Sequence, residues 1–159
     1  MKKLFILSIL FLSFSCNKNN KNSIGNNQYA VQDFGELFSD EEKDILTQKI
    51  IEFKNSTTNE ICVYTIDSVP KKIDDINIFA TKLAYDLGLD TSEKKNGLLI
   101  LISEHDTEFA FATGSDTKKT LTDSIRGKIS KNILVPYFSK NEYYNGVSSA
   151  LDEITSSWK

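Results

Sequence analysis

Five residues carry side-chain oxygens at places where a fold could gather them: Asp33, Glu60, Asn96, Asp116 and Asp123. Carboxylates and amide carbonyls are the ligands of hard cations, so the set points to Ca²⁺ or Mg²⁺. Three of them also have a plainer reading. Glu60 could be a solvated strand end, Asp123 a helix cap, and Asn96-Gly97 a turn with positive φ. Other chemistry is thinly provided. The single histidine, His105, stands in the short polar run 104–107, where an exposed residue is the ordinary expectation. The single arginine, Arg126, sits between the helix positions Ile125 and Ile129. Phosphoryl transfer needs a nucleophile or a metal-bound hydroxide, and cations on the transferred group. The chain has no phosphate-cradling glycine loop and no serine–histidine–aspartate arrangement with a usable base. Cys62 lies inside an apolar run, where a free cysteine is usually a small core hydrophobe.

Cys16 has a different setting. Lys2 and Lys3 precede eleven residues from Leu4 to Phe14, nine of them apolar. That matches the charged and apolar parts of a secretory signal. It is too short to cross a bilayer, which takes about 20 apolar residues. Ser15 precedes Cys16, and polar residues follow at once. The pattern resembles a bacterial lipoprotein signal, cleaved before Cys16 and acylated there. It departs from the usual form in having Ser13 and Phe14 where leucine and a small residue are common. Residues 1–15 are expected to be the signal peptide. Residues 16–30, with six asparagines, are expected to be a flexible tether between a lipid anchor and a folded domain outside the cytoplasm. Losing Lys2 and Lys3 takes the net charge from −3 to −5, which gives no electrostatic reason to lie on anionic lipid.

The elements that must position these residues are legible from 31 to 158. Ser39 and Glu42 form a capping-box pattern, and Leu46, Ile50 and Phe53 then share one helical face. Residues 55–59 read as a turn. Residues 60–66 are rich in β-branched and aromatic types and read as a strand. Ile76, Phe79, Ala80, Leu83, Ala84 and Leu87 mark a helix over 73–87, capped by Asp74 or Asp75 and stopped by Gly88. Residues 97–103 hold five consecutive apolar residues, as a strand buried on both faces would. A four-residue connection then returns the chain along 108–113 as an antiparallel partner. Leu121, Ile125, Ile129 and Ile133 predict a further helix, ended by Pro136. Tyr144, Val147, Leu151, Ile154 and Trp158 predict the last one. Strand–helix–strand crossovers make the first two strands parallel. The fold class is therefore α/β: a small mixed sheet between helical layers, an α/β/α sandwich.

A chain of 159 residues, 40% hydrophobic and 26% charged, is one ordinary compact domain. Net negative charge without a basic run argues against nucleic acid as a partner. Two cysteines make no disulfide scaffold, and no pair has zinc-site spacing.

The polar punctuation carries a resemblance. Val31-Gln32-Asp33 is followed by Gly35-Glu36-Leu37-Phe38-Ser39, then Thr58-Asn59-Glu60-Ile61 and Leu87-Gly88. Further on come Asn96-Gly97-Leu98-Leu99, Thr113-Gly114, Leu121-Thr122-Asp123, Val135-Pro136-Tyr137-Phe138 and Tyr143-Tyr144-Asn145-Gly146. This ordered set resembles the TPM domain family, over about residues 29–157. The resemblance implies an α/β/α domain facing an extracytoplasmic space. Family members have been described as acid phosphatases, as divalent-cation binders, and as repair or assembly factors for membrane complexes. Where the family usually has an acidic residue before Asn-Gly, this chain has Lys95; where a second glycine often follows Gly114, it has Asp116. The expectation is a lipid-anchored binding or assembly module that meets another envelope protein and takes a divalent cation. The alternative is a metal-dependent acid phosphatase. Strand direction puts Glu60, Asn96 and Asp116 on one rim, with Asp123 close by and Asp33 folding back toward it.

Overall fold

The structure is a computed structural model, and it describes residues 30–91 and 95–158. The expected signal peptide, Cys16 and nearly all of the expected tether lie outside the described residues.

The chain runs β1 (Val31–Asp33), α1 (Asp40–Thr57), β2 (Glu60–Ile66), α2 (Ile76–Asp86), β3 (Gly97–Ser103) and β4 (Glu108–Thr113). It continues through α3 (Thr117–Thr120), α4 (Asp123–Ile129), a π-helical turn (Ser130–Leu134), α5 (Val135–Phe138) and α6 (Tyr143–Ser157). The four strands lie in the order β1-β2-β3-β4. β1, β2 and β3 are parallel, and β4 is antiparallel to β3. The expected α/β class and mixed sheet are both present.

Each face of the sheet buries its own core, because successive strand residues point to opposite sides. On one face Ile61, Val63, Leu98, Ile100 and Ile102 meet Leu46, Ile50 and Phe53 of α1 and Val147, Leu151 and Ile154 of α6. On the other, Cys62, Leu99, Leu101, Ala110 and Ala112 meet Ile76, Ala80 and Ala84 of α2. The alanines on both partners let α2 lie close, and it packs mainly on β4 and β3. β3 is buried along its whole length, as its apolar run requires.

The ends of α1 follow from local chemistry. Ser39 accepts from the Glu42 N–H while the Glu42 carboxylate accepts from the Ser39 N–H. The helix outlasts the expected turn at 55–59: it continues to Thr57, and Thr58 turns the chain at φ 67°. α2 starts at Ile76 rather than 73, because Asp75 accepts the N–H groups of Asn77 and Ile78. Gly88 stops it at φ 78°.

Two expectations need correction. Residues 31–33 form an edge strand rather than a lead-in that folds back. Val31 pairs in register with Val63 and Asp33 with Thr65. Pro136 does not end the helical run, which continues to Phe138. The π turn just before it absorbs the disturbance, with the Val135 N–H reaching back to the Ser130 carbonyl. Proline costs an α-helix a bond and crowds the preceding turn; a wider turn relieves that crowding.

Candidate functional site

The strand directions give the sheet two rims. One holds the starts of β2 and β3 and the end of β4. The other holds the ends of β1, β2 and β3 and the start of β4.

The first rim carries a groove of about 630 Å³ whose walls include Glu60, Asn96 and Asp116. Three of the five expected residues are thus brought together. The groove also holds Lys54 and Lys95. The Glu60 carboxylate lies 3.0 Å from Lys54 Nζ and is largely shielded, at 17% exposure. Asp116 lies 2.7 Å from Lys119 Nζ. That hydrogen bond and charge, with a smaller contribution from Lys95, hold the Asp116 carboxyl below its ordinary range. Asn96 donates from its amide to the Thr58 carbonyl at 2.7 Å. The backbone is stitched just as tightly. Glu60 N–H donates to Asn96 O, Gly114 N–H to Gly97 O, and Asp116 N–H to Lys95 O. Thr117, wholly buried, adds its hydroxyl to Gly97 O at 3.0 Å.

The glycines here are set by close approach. A Cβ on Gly97 would stand 2.2 Å from the Leu89 carbonyl oxygen, and one on Gly114 2.3 Å from that of Lys95. Gly97 begins β3 and does not have positive φ, so Asn96-Gly97 is not the turn its sequence suggests.

Asp123 lies apart from this groove. It opens α4 and lines a neighbouring hollow of about 280 Å³ with Asp90, Thr113, Lys118 and Arg126. It is almost fully exposed and pairs with Arg126, whose side chain is only 14% exposed. Arg126 also donates from Nη1 to Thr113 Oγ1 at 2.8 Å. Its Nε is buried, and among the described residues no acceptor reaches it. Reading Arg126 only by its place between two isoleucines misses this inward guanidinium.

Asp33 is on the opposite rim. Parallel pairing carries β1 toward the end of β2, so Asp33 cannot fold back to Glu60. Its carboxylate accepts the N–H groups of Leu37 and Phe38, both at 3.0 Å, and the Thr65 hydroxyl. It closes the β1–α1 connection.

Calcium takes six to eight oxygens, and magnesium a strict octahedron. The groove offers two carboxylates and an amide, each already engaged, among lysines. That donor set does not fit either ion. Among the described residues no three His, Cys, Asp or Glu side chains converge in metal-binding fashion. Cys62 is buried under α2, and desolvation pushes its thiol up to about 12, far from nucleophilic use at neutral pH.

A TPM domain model matches residues 31–157 of the chain. The chain belongs to the TPM domain family. No curated protein matches it in sequence. Among solved structures it is similar to the N-terminal domain of a protein from P. gingivalis, at 22% identity and TM-score 0.75, with 83% of each chain covered. It is also similar to the BA42 protein of the psychrophilic bacterium Bizionia argentinensis, at 18% identity and TM-score 0.66, covering 77% of this chain and 81% of that one. A third is the N-terminal domain of the cg2496 protein of Corynebacterium glutamicum, at 16% identity and TM-score 0.66, covering 87% and 85%. At such identities the likeness is one of fold. It shows that the TPM frame is retained here while lysines crowd the rim on which Glu60 and Asp116 stand.

Proposed function

We propose that this TPM domain is a lipid-anchored binding module of a bacterial envelope, displayed outside the cytoplasm and acting by holding another envelope protein. The observation that carries the reading is the engagement of the carboxylates. Glu60, Asp116 and Asp123 are each paired with a cation of their own surroundings, and Asp33 with backbone N–H groups. Groups so placed hold loops and helix ends rather than move protons. The anchor rests on the signal pattern ending at Cys16. No helix among the described residues is long and apolar enough to cross a membrane.

A divalent cation could enter the groove only by displacing Lys54 and Lys119, so binding there is weak and cannot gate the module at low concentration. A second reading, a metal-dependent phosphatase, is favoured by the hollow where Lys118 and the inward Arg126 stand beside Asp90 and Asp123. One pair of measurements separates the two. Cys16→Ser should move the protein from the membrane fraction to the soluble fraction; unchanged retention would overturn the anchor. Hydrolysis of p-nitrophenyl phosphate with Ca²⁺, Mg²⁺ or Zn²⁺ should stay at the buffer rate. Turnover that disappears with chelator and in Arg126→Lys would establish the phosphatase instead.

A further inference from the structure

The other rim carries a cavity that none of the candidate residues predicts. It has a volume of about 330 Å³ and lies between the end of β3, the β3–β4 hairpin and the start of α6. Phe109 of β4, Phe138 of α5 and Tyr143 of α6 form its aromatic wall. The Phe109 and Phe138 rings stand edge to face at 5.6 Å, and Phe138 and Tyr143 lie 5.0 Å apart. Val135, 51% exposed despite its apolar side chain, continues this wall. A recess of this size, mainly apolar and edged by a few polar groups, has the form of a ligand site.

The charge around it is mainly negative. Glu108 lines the cavity, and among the described residues no lysine or arginine does. The segments that frame it, 104–108 and 139–142, carry Glu104, Asp106, Glu108 and Glu142 against Lys140 and His105. Asp106 is spent on the Val69 N–H and the Ser103 hydroxyl, both at 2.7 Å. Glu104 stands near enough to Tyr143 to add to the burial that raises its phenol. Ring faces are electron-rich and attract cations. An anion is repelled by these carboxylates, and a neutral apolar guest uses only the rings. A cation on an apolar stem uses both.

The backbone is committed to this shape. Thr107 and Asn141, on the two framing loops, hold φ 54° and 60°. That is an unusual state for a β-branched threonine, and it persists only where the surroundings fix it. The π turn at Ser130–Leu134 delivers Val135 and Phe138 to the wall.

We propose that this cavity binds an alkylammonium group, a protonated amine on a short apolar stem, presented as a free amine or as a lysine side chain of a basic peptide. The test is nuclear magnetic resonance titration of the isotopically labelled full chain. The probes are n-butylammonium, its neutral counterpart n-butanol, its anionic counterpart butyrate, and N-acetyl-Gly-Lys-Gly amide. The expected result is a saturable shift of Phe109, Phe138 and Tyr143 signals with n-butylammonium, about tenfold tighter than with n-butanol, and none with butyrate. Glu108 is exposed, so Glu108→Gln should fold normally. It should lose most of that tenfold preference while n-butanol binding is unchanged. Equal affinity for amine and alcohol, an unaltered preference in Glu108→Gln, or no saturable shift at these residues overturns the proposal. Within a positive result, tighter binding of the lysine peptide than of the free amine assigns the site to a basic protein segment. The reverse assigns it to small amines.

Discussion

The two rims of the sheet use acidic residues in opposite ways. At the rim where β2 and β3 begin, Glu60 and Asp116 face lysines, and the glycines Gly97 and Gly114 let the Leu89 and Lys95 backbone press against the strand ends. At the rim where β1–β3 end, Asp33 and Asp106 face backbone N–H groups and hydroxyls. There they hold connections bent through left-handed residues such as Glu36 and Thr107. The first rim spends its charge on its own cations and packs backbone against backbone at its two glycines. The second spends Asp33 and Asp106 on loop shape and leaves an aromatic recess open beside Glu108. A carboxylate at a strand end therefore says little about metal until its partner is known.

The comparison breaks first at the glycines. Gly97→Ala places a methyl 2.2 Å from a backbone oxygen that cannot swing away. Overpacking of that kind should cost about 3 kcal/mol, read as a lower urea midpoint with unchanged slope. Gly127→Ala is the internal control: nothing lies within 4 Å of its added Cβ inside α4, so it should stabilise slightly. If Gly97→Ala costs no more than the control gains, the first rim is looser than described.

The next largest effect belongs to the second rim. Asp33→Asn removes a charge that accepts two backbone N–H groups and the Thr65 hydroxyl. The expected loss is about 2 kcal/mol, since hydrogen bonds to charged groups are the stronger kind. Ca²⁺ should stabilise wild type and variant alike or not at all, because Asp33 lies on the far rim from Glu60. A calcium-dependent rise in unfolding temperature lost only in Asp33→Asn would return this residue to a metal site.

Asp106 gives a smaller effect with a defined sign. Hydrogen bonds from the Val69 N–H and then from the Ser103 hydroxyl lower its pKa in the folded state. A carboxyl whose folded pKa lies below its unfolded value, near about 3.9, adds stability that is complete above that value. The contribution is lost as pH falls through the folded pKa. Asp106→Asn should therefore unfold at lower temperature than wild type at pH 7, and the gap should close on acidification below about pH 4. A gap independent of pH would mean that the loop is held by something other than this charge.

Legibility in the sequence followed the range of the interaction. The capping box of Ser39 and Glu42 spans three residues, and β3 announces itself by an unbroken apolar run, so both were readable. Placing Glu60, Asn96 and Asp116 on one rim needed only strand direction, which a crossover rule supplies. β1 was not readable as a strand. Three residues hold no pattern, and its pairing with Val63 and Thr65 lies some thirty residues away. The error over Asp33 follows from that alone. The π turn left a faint trace: Leu121, Ile125, Ile129 and Ile133 recur every four residues, longer than the 3.6 of an α-helix. Across the π turn itself the fully buried residues are Ile129 and Leu134, five apart, which matches the i to i+5 bonding of a π turn. The aromatic cavity joins Phe138 and Tyr143, neighbours along the chain, to Phe109 of a remote strand, so no local motif could show it.

The smallest expected effect falls on the first rim and tests whether its lysines mask a site. The Glu60–Lys54 pair is partly exposed on the lysine side, so salt and water screen it. Lys54→Gln should cost about 0.5 kcal/mol at low salt, and the difference from wild type should shrink in 1 M NaCl, where the screening length falls to about 3 Å. The informative readout is the cation response. Removing Lys54 leaves the Glu60 carboxylate in a groove that also contains Asn96 and Asp116, with Lys95 and the Lys119 pair still present. If those remaining cations suffice to keep the rim neutral, Ca²⁺ should not raise the unfolding temperature of the variant any more than that of wild type. A saturable rise confined to Lys54→Gln would mean that one lysine alone stands between this TPM rim and a cation site.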